Sequence, residues 1–317
     1  MEDLSTFTPP GGTPHGARDD ASRPAPSDAG PVLLDGRRLA RERAPGLAAR
    51  ATEIARRRGR PPRLLLVAFA GPDGRSPSAE LKLRACAAAG IDVAPLVLPA
   101  DATTDDIRRT IGDALAVDPK PDAVFVEFPF PDGVDGDAVM ATVPESLDVD
   151  VMTPGRVSRY LDDAEGPPPL TVAAALALLD RYGVSVAGLD GIVIAEPSPF
   201  AEMFRAALAR RGARMGPLVP PTAADLAERA RAARLVVVAA ARPGLVDSAT
   251  LAPGTVAIDS GYYNPGGRGD IDTAGGTAHL AALAPVPGGL GPMTVSMLLE
   301  RTIEFAAPPQ ASPRIVP

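Results

Sequence analysis

The chain predicts an α/β fold in two domains, each built around a doubly wound parallel sheet. Its 317 residues suffice for two domains of ordinary size. Short all-apolar runs, such as Leu64 to Phe69, Val124 to Phe128 and Leu235 to Ala239, read as strands buried on both faces. Segments with apolar residues at helical spacing separate them, and that alternation is what a parallel sheet requires.

Each element has a local reason. Residues 1–30 are rich in Pro, Gly, Ser, Asp and Thr, so they read as a disordered tail that cannot bury enough surface to offset chain entropy. Val32 to Leu34 opens the fold and Arg37 to Arg58 is a basic helix. Pro77 to Gly90 is a helix, with Pro77 in its first turn and Gly90 past its end. Thr103 with Asp106 makes a capping box for a helix that reaches about Leu115. Thr171 to Tyr182, rich in alanine and leucine, is a helix that crosses between the domains. The second series runs as a strand from Asp190 to Ala195, a helix from Phe200 to Arg211, a strand near Ala213 to Leu218 and a helix opened by Thr222 with Asp225. Leu235 to Ala239 and Val256 to Ile258 complete that sheet. Pro285 to Thr294 is a tight loop, and Val295 to Ala306 is a helix with Val295, Leu298, Leu299, Ile303 and Ala306 on one stripe. Residues 307–317, with four prolines, read as a second tail. The expected divisions are therefore 1–30, 31–168, 169–284, 285–306 and 307–317, with no internal repeat.

Composition narrows the function classes. Hydrophobic content of 45% with 22% charged residues is that of a globular chain. No run approaches the roughly 18 apolar residues of a membrane span, and the first thirty residues lack the apolar core of a signal peptide. One cysteine, Cys86, excludes an intrachain disulfide and fits a reducing cytoplasm. Two histidines, one of them His15 in the tail, leave no basis for a His/Cys metal site. A net charge of -7 speaks against a nucleic-acid partner.

The most informative stretch is Pro285-Val-Pro-Gly-Gly-Leu-Gly-Pro-Met-Thr294, with three glycines and three prolines in ten residues. A stiff turn that opens onto a helix N-terminus exposes backbone donors to a ligand, although an ordinary loop-helix joint has the same composition. The decapeptide is similar to the signature of the methylenetetrahydrofolate dehydrogenase/cyclohydrolase family. Six further segments resemble that family in the same order: Leu33-Leu-Asp-Gly36; Ser76 to Ile91; Val126-Glu-Phe-Pro-Phe-Pro131 for its Val-Gln-Leu-Pro-Leu-Pro; Asp148-Val-Asp150 for its Asp-Val-Asp-Gly; Pro169-Leu-Thr171 for its Pro-Cys-Thr; and Gly269-Asp-Ile-Asp272. The resemblance implies an N-terminal α/β folate domain, a C-terminal Rossmann-like domain, a cleft between them, a small-molecule folate substrate and a homodimer.

It also implies site residues. Lys82 falls on the family's catalytic lysine, and Ser78, one turn earlier on the same face, stands where the family has a tyrosine that stacks on the folate ring. Glu127 takes the place of a glutamine beside that lysine. A carboxylate there makes an ion pair, which suits the lysine to giving a proton rather than taking one; the plainer reading is a charge exposed at a strand end. Asp150 matches the aspartate that accepts the pterin's amino-pyrimidinone edge, or else merely forms a turn. Pro285, Gly288, Gly289, Pro292 and Thr294 are the substrate-binding positions of the decapeptide.

The dinucleotide turn departs from the family. Where it has Gly-Arg-Ser-x-x-Val-Gly-Lys-Pro, this chain has Ala195-Glu196-Pro197-Ser198 and then Pro-Phe-Ala-Glu-Met203. Both glycines are gone, two prolines remove N–H donors, and Glu196 and Glu202 add negative charge, all of which oppose NADP or NAD. The leading expectation is thus a divergent enzyme acting on a methylene- or methenyl-tetrahydrofolate adduct, with hydride transfer weakened or lost. In that reading the one-carbon unit passes to a second small nucleophile in specialised metabolism. The alternatives are the ordinary NADP-dependent bifunctional enzyme and a non-catalytic folate-binding or partner-binding protein.

Overall fold

A computed structural model describes residues 30–71, 74, 76–261 and 267–307, so both expected tails lie essentially outside the described residues. The chain begins with β1 (Val32–Leu33) and α1 (Gly36–Arg58), followed by β2 (Arg63–Phe69), α2 (Pro77–Ala88), β3 (Asp92–Leu98), α3 (Thr104–Ala116) and β4 (Ala123–Val126). The last three strands form one parallel sheet in the order β3-β2-β4. Central β2 is the most apolar because it is covered on both faces; Leu64, Leu66, Val67 and Ala68 are fully buried. Strand β3 was not anticipated from sequence. Asp92 and Pro95 break its apolar run, and Pro95 is tolerated because β3 is an edge strand.

Short helices α4 (Gly136–Met140) and α5 (Pro154–Ser158), the latter running into a π turn at Arg159–Asp163, lead to α6 (Leu170–Arg181). The second unit contains β5 (Asp190–Ile194), α7 (Pro199–Arg210), β6 (Arg214–Met215), α8 (Leu226–Ala232) and β7 (Leu235–Val238). Then come β8 (Val246–Asp247), β9 (Val256–Asp259), β10 (Ile271–Asp272), β11 (Ala282–Ala284) and α9 (Leu290–Ala306). Six strands form a parallel sheet in the order β1-β11-β9-β7-β5-β6, and β8 pairs with β10 apart from it. This is the doubly wound sheet expected. Strand β1 joins it as an edge beside β11, so the first strand of the chain belongs to the second sheet rather than opening the first.

Three local expectations need correction. Helix α8 starts at Leu226 after Asp225, which makes no side-chain cap bond, so Thr222 with Asp225 opens nothing. The strand near 213–218 is only Arg214–Met215, with Val219 bridging Ile194 separately. Helix α9 begins at Leu290, inside the glycine-proline stretch; Gly291 and Pro292 fit its first turn because N–H groups there have no intrahelical acceptor. The Thr103–Asp106 capping box and the Ser76 cap before Pro77 form as their residue types dictate.

Helix α9 joins the units. It packs on α1 and α6, and one apolar core runs from Leu64, Leu66 and Ile54 through Leu298 and Ile303 to Val193, Val237 and Ile258. Its entry depends on a backbone contact: a Cβ on Gly36 would lie 1.8 Å from the Gly289 carbonyl oxygen. Arg37 N donates to Gly288 O at 3.0 Å, and Gly289 N to Pro285 O at 2.7 Å. Gly36 therefore exists for close approach, which accounts for the Leu-Asp-Gly segment as a docking face for the later loop. Gly36→Ala is expected to lower stability by about 1–3 kcal/mol although alanine is the better helix former. Chemical denaturation measures this, and an unchanged midpoint would show that the contact relaxes freely.

Candidate functional site

Helix α2 and the end of β4 build the first half of the site. Ser76 caps α2 and Pro77 occupies its first position, so Ser78 and Lys82 stack one turn apart on a single face. Glu127 lies one residue past β4 but its N–H still donates to Val67 O at 2.9 Å, which keeps the strand's alternation and turns its side chain to α2. Lys82 Nζ is 2.6 Å from Glu127 Oε1 and donates to Ser78 Oγ at 2.6 Å. Ser76 Oγ donates to Glu127 Oε2 at 3.4 Å, and the ammonium stands 5.4 Å from the Phe125 ring centre. Lys82 and Glu127 are each only 8% exposed. The reading of Glu127 as an exposed strand-end charge is thus incorrect. Two of the three ammonium N–H bonds are held, and the third has no protein acceptor among the described residues. Cys86, one turn further along the same face, is fully buried, and burial pushes its thiol up to about 12, so it is no nucleophile.

The second half comes from the segment after β4. Val124 N donates to Leu147 O at 2.7 Å and Val149 N to Val124 O at 3.2 Å, so residues 147–149 run beside β4 and carry Asp150 toward the Glu127 end. Asp148 Oδ1 accepts the Asp150 N–H at 3.1 Å and its Oδ2 accepts the Thr153 N–H at 2.8 Å. Asp148 is therefore the turn former. Asp150 is left to face elsewhere, its Oδ1 accepting Leu170 N–H at 2.7 Å. Burial is the main cause that lifts the Asp150 carboxyl to about 7; nearby Asp148 adds to it, while the Leu170 bond, Arg301 and Lys82 oppose it. Thr294 Oγ1 lies 3.3 Å from Thr171 Oγ1, so the Pro169-Leu-Thr171 segment links Asp150 to the start of α9. Of the decapeptide, Gly288 and Gly289 shape the turn against Gly36 and Arg37, Pro285 supplies the carbonyl that Gly289 caps, and Pro292 and Thr294 lie in α9's first turns.

The dinucleotide turn sits apart, at the carboxyl end of β5, where open α/β sheets receive ligands. Ala195 is buried; Glu196 and Pro197 are exposed. Ser198 Oγ accepts Ala201 N–H at 3.3 Å, and Pro199 follows as the first helical residue. The donors a pyrophosphate would take at α7 are thus partly used by the chain's own cap. Glu196 pairs with Arg242 at 3.2 Å and Glu202 with Arg205 at 2.7 Å. Both acidic side chains of this turn are therefore paired with arginines of the chain itself. Among the described residues no group of three or more His, Cys, Asp or Glu is placed to hold a metal ion, and no helix is long and apolar enough to cross a membrane.

Sequence reasoning missed several participants. Ser76 gave no sign beyond being a helix cap. Phe128, 44% exposed, follows Glu127 directly and is braced edge-on by Phe130 at 4.8 Å between ring centres. Asp259, inside the last long strand, accepts N–H bonds from Gly261, Asp270 and Ile271. A Cβ on Gly269 would meet its Oδ2 at 2.0 Å, which explains the glycine of the Gly-Asp-Ile-Asp segment. Asp270 in turn accepts from the Ala240 and Arg242 N–H groups, fixing the loop after β7.

Known proteins match along most of the chain. Residues 34–150 match the family model described as tetrahydrofolate dehydrogenase/cyclohydrolase, catalytic domain, and residues 169–309 the one described as tetrahydrofolate dehydrogenase/cyclohydrolase, NAD(P)-binding domain. Bifunctional protein FolD 2 of Frankia casuarinae is 31% identical over 274 residues, 86% of this chain and 94% of that protein. Bifunctional protein FolD of a Synechococcus strain is 34% identical over 280 residues, covering 86% and 93%. Among solved structures, the Trypanosoma brucei methylenetetrahydrofolate dehydrogenase-cyclohydrolase, complexed with NADP and an inhibitor, superimposes with a TM-score of 0.78 at 28% identity, covering 87% of this chain and 97% of that one. The Campylobacter jejuni enzyme gives 0.75 at 26% identity, covering 87% and 98%. Because the NAD(P)-binding domain is itself matched, the expected weakening of nicotinamide use gains no support from these relatives.

The raised carboxyls set a pH dependence of stability. Asp150 is lifted to about 7 and Asp259 to about 6, each chiefly by burial. Their protonated forms are favoured in the folded state, so the stability they contribute is complete below the unfolded value near 4 and is lost as pH rises through 6 and 7. The slope is up to about 1.4 kcal/mol per pH unit for each proton released. Melting midpoints should therefore fall from pH 5 to 8, and Asp150→Asn, which keeps an acceptor for Leu170, should flatten the upper part. An identical profile in Asp150→Asn would contradict the assignment.

Proposed function

This chain belongs to the tetrahydrofolate dehydrogenase/cyclohydrolase family, and as an enzyme of that family we propose that it acts on a methylene- or methenyl-tetrahydrofolate adduct held between Lys82, Glu127 and Asp150. The observation that carries this reading is the buried Lys82–Glu127 pair at 2.6 Å, with Asp150 brought alongside by the strand-like segment 147–149. The free oxygen of Asp150 accepts N–H bonds from the pterin's amino-pyrimidinone edge, a charge-assisted contact. The unshared N–H of Lys82 is the donor for the adduct's reactive nitrogen, and Ser78 and Glu127 fix its direction. In the same proposal Pro285, Gly288, Gly289, Pro292 and Thr294, at and just before the start of α9, border the folate. A homodimer, implied by the resemblance, is carried over as part of the same proposal.

The ordinary family reaction, nicotinamide-dependent oxidation of the methylene adduct with hydrolysis of the methenyl product, is the reading that the relatives support best. A second reading rests on the turn Ala195–Ser198, whose cap, prolines and acidic residues do not fit a dinucleotide phosphate. In it, Lys82 protonates one ring nitrogen of the methylene adduct. The bond from that nitrogen to the one-carbon unit breaks with its electron pair retained on nitrogen, and the other nitrogen's lone pair makes an iminium. A small nucleophile then adds to that carbon and gives up its proton. Protonation of the remaining folate nitrogen lets the second C–N bond break with its pair kept on nitrogen, releasing tetrahydrofolate and leaving the methylene cation on the nucleophile, still at the formaldehyde oxidation level. Absorbance of reduced nicotinamide, followed with methylenetetrahydrofolate and NADP or NAD, separates the two: robust reduction supports the first and removes the second.

Two outcomes test the folate site. Affinity for 5-formyltetrahydrofolate should fall by up to about tenfold per unit as pH drops below about 7, because protonation of Asp150 removes its charge and puts a proton on the oxygen that is to face the pterin's N–H groups; calorimetry that shows pH-independent affinity would contradict this. Glu127→Gln keeps an acceptor for Lys82 while removing its counter-charge, so it frees the lysine to take a proton from water. Methenyltetrahydrofolate hydrolysis should rise roughly tenfold or more in Glu127→Gln. A wild type that already hydrolyses it better than the variant would show that the ion pair itself supports water activation.

A further inference from the structure

Among the described residues Arg301, 8% exposed on α9, is the second buried basic side chain beside Lys82. Its Nη1 donates to Val149 O at 2.8 Å and its Nη2 to Pro168 O at 2.6 Å. No carboxylate lies within salt-bridge distance among the described residues, so a guanidinium has been taken out of water onto neutral acceptors alone. Burial accordingly lowers its basicity. Such a residue is costly to keep and calls for a role.

The two carbonyls identify that role. One belongs to the residue before Asp150 and the other lies two residues before Leu170, whose N–H Asp150 accepts. Arg301 thus clamps the same two segments that the Asp150–Leu170 bond joins. The turn it clamps is strained. Val151 has φ of +61° and is 1% exposed, a left-handed conformation that a β-branched side chain rarely adopts. The family motif that Asp148-Val-Asp150 resembles continues with glycine, which adopts that conformation without strain. A valine persists there only where its surroundings over-determine the backbone. Here these are the Asp148 carboxylate from one side and the Arg301 fork from the other. The charges facing Asp150 are Asp148, Arg301 and Lys82; those facing Arg301 are Asp150, Asp148, Arg156 and Glu304.

We propose that Arg301 is a positioning residue for substrate recognition: from α9 it holds the strained turn at Val151 in the form that presents Asp150, and it supplies the positive charge which that carboxylate faces. This rests on the folate reading, so the test separates the two. Calorimetry with 5-formyltetrahydrofolate is run on the wild type, Arg301→Gln, Arg301→Lys, Val151→Gly and Val151→Gly/Arg301→Gln, and the Asp150 carboxyl is titrated by NMR in each ligand-free protein. Arg301→Gln should weaken binding about tenfold or more and raise the Asp150 midpoint, whereas Arg301→Lys should restore the midpoint but not the full affinity. In the Val151→Gly background the loss should shrink to about threefold, because glycine no longer needs the clamp. Unchanged affinity in Arg301→Gln, or an equal loss in both backgrounds with an unmoved midpoint, would make Arg301 merely structural. Should Arg301→Gln fail to fold, Arg301→Lys with and without Val151→Gly reads the same coupling. A wild type that binds no folate while the NMR midpoint still moves with Arg301 would sink the folate reading and leave the clamp standing.

Discussion

The contact of Gly289 against Gly36 governs how the two halves of this chain are joined. A Cβ on Gly36 would strike the Gly289 carbonyl and one on Gly289 would strike Pro285 within its own turn, so the glycine-proline loop lies flat on the start of α1. From that seat β1 completes the edge of the six-stranded sheet and α9 runs on to pack against both α1 and α6. Helix α9 then reaches the Asp150 segment through Arg301 and the Pro169-Leu-Thr171 segment through Thr294. The site's two halves, one on α2 and β4 and the other on the segment after β4, are therefore stabilised by an element from the far end of the sequence.

Within that frame the chemistry follows from burial. A lysine and a glutamate enclosed together are strongly coupled, and removing either leaves a charge in a poorly hydrated place, typically at a cost of about 3–5 kcal/mol. Ser76 donates to the glutamate's other oxygen and Ser78 accepts a second ammonium N–H, which leaves the third N–H of Lys82 open. Asp150 is treated differently: it has one backbone donor and an oxygen left over, and burial raises its carboxyl into the physiological range. Two carboxylates a short way apart thus differ in role because their surroundings differ, one locked as a counter-ion and one kept as an acceptor.

Much of this was legible in the residues. The long strands β2, β4, β7 and β9, helices α1, α2, α3, α6 and α7, and the cap at Thr103 follow from local pattern, and the Lys82–Glu127 pairing from the resemblance together with the cost of an unpaired buried carboxylate. Strand β3 was hidden by Asp92 and Pro95, and two- or three-residue strands such as β8, β10 and β11 have too few residues to show a period. The placement of β1 in the distant sheet could not be read locally, since a two-residue strand carries no record of its partner. Arg301 was invisible for a related reason: in sequence it is an arginine on an amphipathic helix, and only the fold removes it from water. Glu196 and the prolines around it suggested a weakened nicotinamide site, an expectation that gains no support from a chain whose NAD(P)-binding domain is matched.

The most direct test of the central claim is a co-crystal soak with 5-formyltetrahydrofolate. The expected result is a ligand whose amino-pyrimidinone edge meets Asp150 and whose formyl-bearing nitrogen faces Lys82, with Pro285 to Thr294 along one side. A ligand seated elsewhere, or none at millimolar concentration with Lys82 still paired to Glu127, would contradict it.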